Sequence, residues 1–448
     1  MKLTNRLALQ PHSFLQPFKG SVTTLIIGAG HAGLAMSRCL TQRSIDHVVL
    51  ERGKVANSWR TERWDSLRLL TPNWKNRLPG YCYQGDKPND FMTTPEFVQF
   101  IQHYAETISA PVHDGVTVTA VDAIENGYRV TTNVGQWQCR SLVVASGAFN
   151  IPNVPSVSKA IPTSIETLTT HQYRNPTQLE EGGVLVVGGS ATGLQLAEEI
   201  QRSGREVTLS IGEHVRMPRH YRGRDIFCWM SDTGILREHY TSFDDVNRVR
   251  KLPSPQLVGT PEHSTINLNK LRASGVKIVG RFCGINNSGS NSSGLNKCEA
   301  QFSGSLNNIC KMADLKMNRL LDSIDTWIED EGITTGIDQP ERFEPTIIDK
   351  SPTLSLDLAI GKIKTVIWAT GYRPDYSWLN LPVLNRKGLL NHDGGVVNAP
   401  GLYTIGLPFM RTRQSGFIGG VSDDAHYLSD HLASYLATSF KPSLYATS

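Results

Sequence analysis

Two glycine-rich turns, Gly28-Ala29-Gly30-His31-Ala32-Gly33 and Gly188-Gly189-Ser190-Ala191-Thr192-Gly193, lie 160 residues apart and constrain the fold more than any other feature. Each follows a short apolar run, residues 22–27 and 184–187, and leads into a segment whose apolar residues recur at helical spacing. Strand, tight turn and helix in this order cradle a dinucleotide. The first glycine permits the turn, the second lets a pyrophosphate approach the backbone, and the third lets the helix pack against the strand. The next apolar run, residues 47–50, ends in Glu51, 23 residues after Gly28, where an acid hydrogen-bonds the adenosine ribose hydroxyls. Glycines alone also shape ordinary turns. Strand, helix and acid together make Gly28, Gly30, Gly33 and Glu51 a dinucleotide site.

The second turn departs from the first in two places. Ser190 replaces the middle glycine but is small enough for a close backbone approach, so Gly188, Ser190 and Gly193 form the second site. The strand after it, residues 206–209, ends in Ser210 instead of an acid. An acid would repel a 2′-phosphate, whereas Ser210 followed by Arg216, Arg219, Arg222 and Arg224 could accept one, which favours NADPH over NADH. At least two of these arginines are expected to belong to a solvated loop.

The interval between the turns is too long for a repeated array and suits a domain inserted into another, and 448 residues exceed what one core serves. Two small-residue signatures mark the crossings: Ala145-Ser146-Gly147 after the run 142–145, and Ala369-Thr370-Gly371 after the run 364–368. The expected fold is α/β, with two Rossmann-like dinucleotide-binding domains: an FAD domain of residues 1–152 and 350–448, and an NADPH domain of residues 153–349 inserted into it.

Composition removes several alternatives. A formal charge of +4 with no block of like charges argues against a nucleic-acid partner. The seven cysteines show no C-x-x-C pair and no zinc spacing, which argues against both a metal site and a disulfide-exchanging flavoenzyme. Residues 1–20 carry no export signal, and glycines interrupt the apolar stretch 24–40, so a cytoplasmic protein without a membrane span is expected. Residues 285–307, rich in Asn, Ser and Gly, read as an exposed hairpin excursion. Residues 311–328 read as a helix burying Met312, Leu315, Leu320, Ile324 and Ile328, with Met317 also in the core.

The order of turns and crossings resembles the class B flavin-dependent monooxygenases and their bacterial relatives over most of the chain. Trp59-Arg60, Arg63-Trp64-Asp65-Ser66-Leu67-Arg68-Leu69, Leu78-Pro79 and Thr94-Pro95 are similar to the segment after the ribose acid in bacterial flavoproteins akin to plant indole-3-pyruvate monooxygenases. Residues 401–407, 416–420 and Ser422-Asp423-Asp424-Ala425 are similar to the family's final strand, flavin-covering loop and last helix. The resemblance implies that NADPH reduces the flavin, O2 adds to it, and the hydroperoxyflavin passes one oxygen atom to a small organic substrate. It adds Arg52, Trp59, Ser146, Gly147, Thr370, Gly371 and Gly419 to the expected cofactor contacts.

One departure bears on the reaction. The family carries F-x-G-x-x-x-H followed by Tyr in the linker before the second turn. Here residues 165–176 lack the Phe and Gly, and with Tyr173-Arg174 aligned the His slot holds Thr169, while His171 lies two residues late. His171 and Tyr173 are the candidate catalytic residues. Three readings stay open: a monooxygenase, an NADPH-dependent flavoprotein reductase or oxidase without oxygen insertion, and a flavin redox sensor. The altered linker favours the second, and the intact second turn argues against the third.

Overall fold

A computed structural model describes residues 18–287, 298–359 and 361–438. The first seventeen residues and the tip of the expected 285–307 excursion, 288–297, lie outside the described residues.

The chain opens with β1 (Phe18–Ile27), α1 (His31–Gln42) and β2 (His47–Leu50), with Ile27 opposite Leu50 in a parallel pair. Residues 53–93 then wrap across the molecule to α2 (Thr94–Thr107). Thr93 and Glu96 start this helix with a capping box: each side chain meets the other's backbone N–H, and Pro95 sits where a missing N–H costs nothing. β3 (Gly135–Val144) flanks β1 on the other side, with Val144 opposite Ile27.

Beyond the first crossing come β4 (Glu166–Thr169), β5 (Gly183–Val187), α3 (Ala191–Arg202), β6 (Val207–Ser210), α4 (Ile226–Asp232), β7 (Lys277–Val279), α5 (Leu306–Asp330) and β8 (Ile363–Trp368). The chain returns through β9 (Leu402–Thr404) and ends in α6 (Val421–Thr438). None of these helices is long and apolar enough to cross a membrane.

Two sheets organise the fold. In the first, β9, β3, β1 and β2 lie side by side and parallel, and the hairpin Val118–Ile124 with Gly127–Thr132 hangs from β3. In the second the order is β4-β8-β5-β6-β7, all parallel. A parallel sheet covered on both faces needs strands apolar on both faces. Val184, Leu185, Val186 and Val187 are accordingly all buried, as are Leu25 and Ile26 of β1. Each such side chain contributes about 1.5–3 kcal/mol on burial. Leu34, Phe97, Val143 and Leu428 join α1, α2, β3 and α6 in one core beside the first sheet.

Two expectations need correction. The domain boundary expected at 350 falls too early. β8 runs between β4 and β5, so the second unit keeps its chain until Ala369, because the place between those two strands is filled by the apolar run Ile363–Trp368. The buried face of α5 is also different. Cys310, Ala313, Met317, Leu321, Ile324 and Ile328 are buried at three- and four-residue steps, so Met312 and Leu315, one or two residues off those steps, are 50% and 42% exposed.

Candidate functional site

The two turns are built by the same packing rule. Gly28 donates its N–H to Leu50 O (2.8 Å) and Gly188 donates to Ser210 O (2.9 Å), so each turn closes on the end of the next strand. Gly28 has φ +110°, and a Cβ there would stand 2.5 Å from the Ala145 carbonyl oxygen; Gly188 has φ +139°, and a Cβ would overlap the Ala369 carbonyl. Ala145 N–H bonds Ile27 O (2.9 Å) and Ala369 N–H bonds Val187 O (2.8 Å). The small-residue crossings exist because they run directly beneath the turns. Gly33 and Gly193 follow the same logic, since a Cβ at either would overlap the carbonyl of Gly28 or Gly188.

At the first turn the buried Glu51 carboxylate accepts from Ala29 N–H (2.8 Å) and Gly53 N–H (3.0 Å), which fixes it beside the turn with lone pairs to spare. A Cβ at Gly30 would meet nothing within 4 Å, so the turn is open there. His31 Nε2 and Ser146 Oγ, next in sequence to Gly30 and Ala145, are buried without a hydrogen-bond partner among the described residues. Burial pushes the His31 pKa down to about 4, so its ring is neutral at physiological pH. An open turn, a fixed acid and orphaned polar atoms fit a dinucleotide. The second turn fits one as well: Ser190 caps α3 without using its side chain for the cap, and the buried Gln256 donates from Nε2 to Gly189 O (2.7 Å) while its Oε1 has no partner among the described residues. Gln256 comes from a loop some sixty residues downstream, and no local sequence signal marks it.

The crossings lie side by side. Pro152 and Ile151 pair with Tyr372 and Arg373, Asn153 N–H bonds Gly371 O (2.8 Å), and the Thr370 hydroxyl donates to Asn153 O. Thr370 therefore serves the hinge. Gly147 and Gly371 take φ +82° and +83°, left-handed values that let the chain turn away from each sheet. Gly419, expected at the cofactor, is explained by packing, since a Cβ would overlap the Lys75 carbonyl.

Both linker candidates sit in packed surroundings, each with a buried polar atom, His171 Nε2 and the Tyr173 hydroxyl, that has no hydrogen-bond partner among the described residues. His171 stacks on Tyr372 (ring centroids 4.9 Å apart), and its Nε2 lies 3.9 Å from Glu62, which is ion-paired with Arg52. Burial holds its pKa below the ordinary histidine value, with Glu62 opposing. Arg52 thus holds the Glu62 carboxylate, while His171 Nε2 lies near it beyond hydrogen-bonding distance. Tyr173 is fully buried in the second core with Trp64, Leu168 and Leu179, and burial raises its phenol pKa further above an already high value. Tyr173→Phe is expected to keep turnover within about twofold and to change stability by less than about 1 kcal/mol, because the phenol oxygen is buried without a hydrogen-bond partner among the described residues; a loss of activity with unchanged folding would restore Tyr173 to the chemistry.

The segment 59–65 joins the halves. Trp59 packs edge-on against Phe97 at 4.6 Å, which places it on α2, and Trp64 plugs the second core. Arg174 donates to the carbonyls of Thr61 and Arg63, Asp65 N–H returns a bond to Arg174 O (2.9 Å), and Asn175 Nδ2 meets Asp65 at 2.6 Å.

Arg216 and Arg219 are the clearest misplacement. Arg216 is buried, pairs with Asp314 at 2.6 Å and donates to Glu344 O (2.8 Å). Arg219, 1% exposed, pairs with Asp225 at 2.7 Å, donates to Leu70 O (2.8 Å) and lies over the rings of Phe91 and Phe227. Arg222 and Arg224 pair with Asp325 and Asp232. A guanidinium already held by a carboxylate in a buried site is not free to receive a phosphate. Ser210 does close β6, but its hydroxyl donates to Gly280 O (2.9 Å).

The geometry has relatives. The family model for pyridine nucleotide-disulphide oxidoreductases matches residues 25–227. An oxidoreductase of Geobacillus kaustophilus described as uncharacterized and CzcO-like is 30% identical over 417 residues, 92% of this chain and 99% of the relative. The indole-3-pyruvate monooxygenase YUCCA6 of Arabidopsis thaliana is 29% identical over 239 residues, 50% of this chain and 57% of that protein. The solved flavin-containing monooxygenase of Stenotrophomonas maltophilia shares the fold at a TM-score of 0.61 and 19% identity, over 93% of this chain and 99% of that one. The chain is a flavin- and pyridine-nucleotide-dependent oxidoreductase and belongs to the class B flavin monooxygenase-like family, alongside the CzcO-like oxidoreductases.

Proposed function

We propose that the chain is an FAD-dependent, NADPH-consuming monooxygenase that places one atom of O2 on a small organic substrate. The observation that carries this reading is the coexistence of two dinucleotide cradles with seven cysteines that are all free, four of them buried. Electrons delivered by the coenzyme have no dithiol within the chain to reach, which favours an acceptor from outside it, O2 in this reading. A bound flavin supplies the chemistry that no side chain offers, hydride acceptance and oxygen activation.

The residues of this chain bind, orient and exclude water. In this reading residues 28–33 and Glu51 seat FAD in the unit formed by residues up to 152 and from 369 onward, and Gly188, Ser190 and Gly193 seat NADPH in the unit between. The Arg174–Thr61 and Asn175–Asp65 bonds and the Trp64 plug hold the two units in one orientation.

A second reading, an NADPH oxidase that releases peroxide, draws support from the linker. His171 is stacked on Tyr372 and Tyr173 is packed in the second core, which departs from the family's linker, although the His171 Nε2 and the Tyr173 hydroxyl are buried without a hydrogen-bond partner among the described residues. The deciding measurement is the ratio of oxygenated product to NADPH consumed over a panel of amines, sulfides and 2-oxo acids. Product from at least one class is expected, with hydrogen peroxide accounting for a substantial part of the NADPH. Peroxide equal to NADPH with every substrate would replace the monooxygenase by the oxidase, and no NADPH oxidation at all would point to a sensor.

A further inference from the structure

With Arg216 and Arg219 committed elsewhere, the group that would meet a 2′-phosphate has to come from another part of the second unit. The adenosine ribose of a dinucleotide lies beyond the C-terminal end of the second strand of its motif, here beyond Ser210 of β6. Ser210 stands opposite Val279 of β7, Ser210 Oγ donates to Gly280 O (2.9 Å) and Ile211 N–H donates to Val279 O (3.1 Å). These bonds lay the chain after β7 alongside the chain after β6. Gly280 is pressed against the Ser303 carbonyl, where a Cβ would overlap, so the start of this second segment is held from behind.

Arg281 follows at once. Its stem covers Gly212, two residues past Ser210: a Cβ on Gly212 would lie 3.6 Å from Arg281 Cγ and 3.7 Å from Cδ. Arg281 is exposed, and no hydrogen bond or ion pair is recorded for its guanidinium among the described residues, in contrast to the paired Arg205, Arg216, Arg219, Arg222, Arg224 and Arg272.

We propose that Arg281 is the residue that selects NADPH, by pairing its guanidinium with the 2′-phosphate beyond β6, while Ser210 positions it through Gly280. This rests on the reading of the second turn as the NADPH site. Charge-assisted, two-pronged recognition of a phosphate is what a guanidinium does better than an ammonium. Glu213, exposed in the same loop, is the competing group: an acid there would serve free ribose hydroxyls and oppose a phosphate.

The test is equilibrium titration of the protein as isolated, with its flavin, using NADP⁺, NAD⁺ and 2′,5′-ADP on the wild type, Arg281→Ala, Arg281→Lys and Glu213→Gln. The wild type is expected to bind NADP⁺ at least about tenfold more tightly than NAD⁺. Arg281→Ala should lose about tenfold or more for NADP⁺ and 2′,5′-ADP, with NAD⁺ within about twofold, and Arg281→Lys should fall between. Glu213→Gln should leave NAD⁺ unchanged and tighten NADP⁺ slightly. Unchanged NADP⁺ affinity in Arg281→Ala, or equal losses for NADP⁺ and NAD⁺, would overturn the assignment of Arg281 while a wild-type preference for NADP⁺ left the coenzyme reading standing. A wild type that prefers NAD⁺, with the preference lost in Glu213→Gln, would overturn both.

Discussion

Gly30→Val is expected to yield a folded, colourless protein, with flavin content reduced to a few per cent of the wild type. The position allows this because its backbone is ordinary. Gly30 has φ −80° and ψ −179°, an extended conformation that a β-branched residue adopts readily, and a Cβ there meets no protein atom within 4 Å. The open space is where a pyrophosphate approaches the turn, so a branched side chain competes with the ligand and not with the fold. Its neighbours cannot make that separation. Gly28 is left-handed and faces the Ala145 carbonyl, and Gly33 faces the Gly28 carbonyl, so a side chain at either would disturb the strand–helix contact itself. The measurement is the ratio of absorbance at 450 nm to that at 280 nm after purification, with circular dichroism to establish folding. The melting temperature should be compared with that of the wild type stripped of flavin, because loss of a tightly bound ligand alone lowers stability. A yellow Gly30→Val protein with wild-type flavin content would remove the first turn from the cofactor site.

Much of this architecture is legible in the sequence because it rests on local rules. Each turn glycine answers a contact only a few residues or one strand away. The apolar runs 184–187 and 364–368 announce themselves because a parallel strand is buried on both faces. Even the crossings can be read, since the backbones of Ala145 and Ala369 run so close beneath Gly28 and Gly188 that the turns need glycine there. Legibility fails where a side chain's partner is distant in sequence. Arg216 meets Asp314, 98 residues away, and Arg219 reaches back 149 residues to Leu70. A run of arginines after a strand looks the same whether it is solvated or buried in ion pairs. Tyr173 has a place in a family motif that suggests chemistry, but its burial with Trp64, 109 residues earlier, depends on how two units dock. Gln256 and Arg281 reach the second turn and the end of β6 only through tertiary packing, and nothing next to them in the sequence points there.

Asp225→Ala is expected to cost about 3–5 kcal/mol of stability, the usual consequence of stranding one member of a buried ion pair. Asp225 holds Arg219, whose side chain is 1% exposed, and also caps α4 by accepting from Phe227 N–H at 2.8 Å, a bond worth about 1 kcal/mol on its own. Arg219→Met removes the charge and keeps most of the volume between Phe91 and Phe227, but it leaves Asp225 unpaired and Leu70 O without its donor. That single substitution should also destabilise by several kcal/mol, on the order expected for breaking a buried pair. Arg219→Met with Asp225→Ala should then lose less than the sum of the two singles by at least about 1.5 kcal/mol, because the second substitution removes a charge that the first has already left without its partner. Denaturant unfolding of the four proteins measures this cycle. Because Leu70 belongs to the wrapping segment and Arg219 to the second unit, the same variants should also loosen the contact between the units, seen as faster amide exchange around residues 68–72. Coenzyme choice is the discriminating readout. If Arg219 is the structural tie that its contacts indicate, the ratio of NADP⁺ to NAD⁺ affinity stays within about twofold of the wild type in every folded member of the cycle, since no charge-assisted contact to the coenzyme is lost. A variant of Arg219 that folds with native stability and loses its preference for NADP⁺ would return the phosphate to this arginine and displace Arg281 from the role.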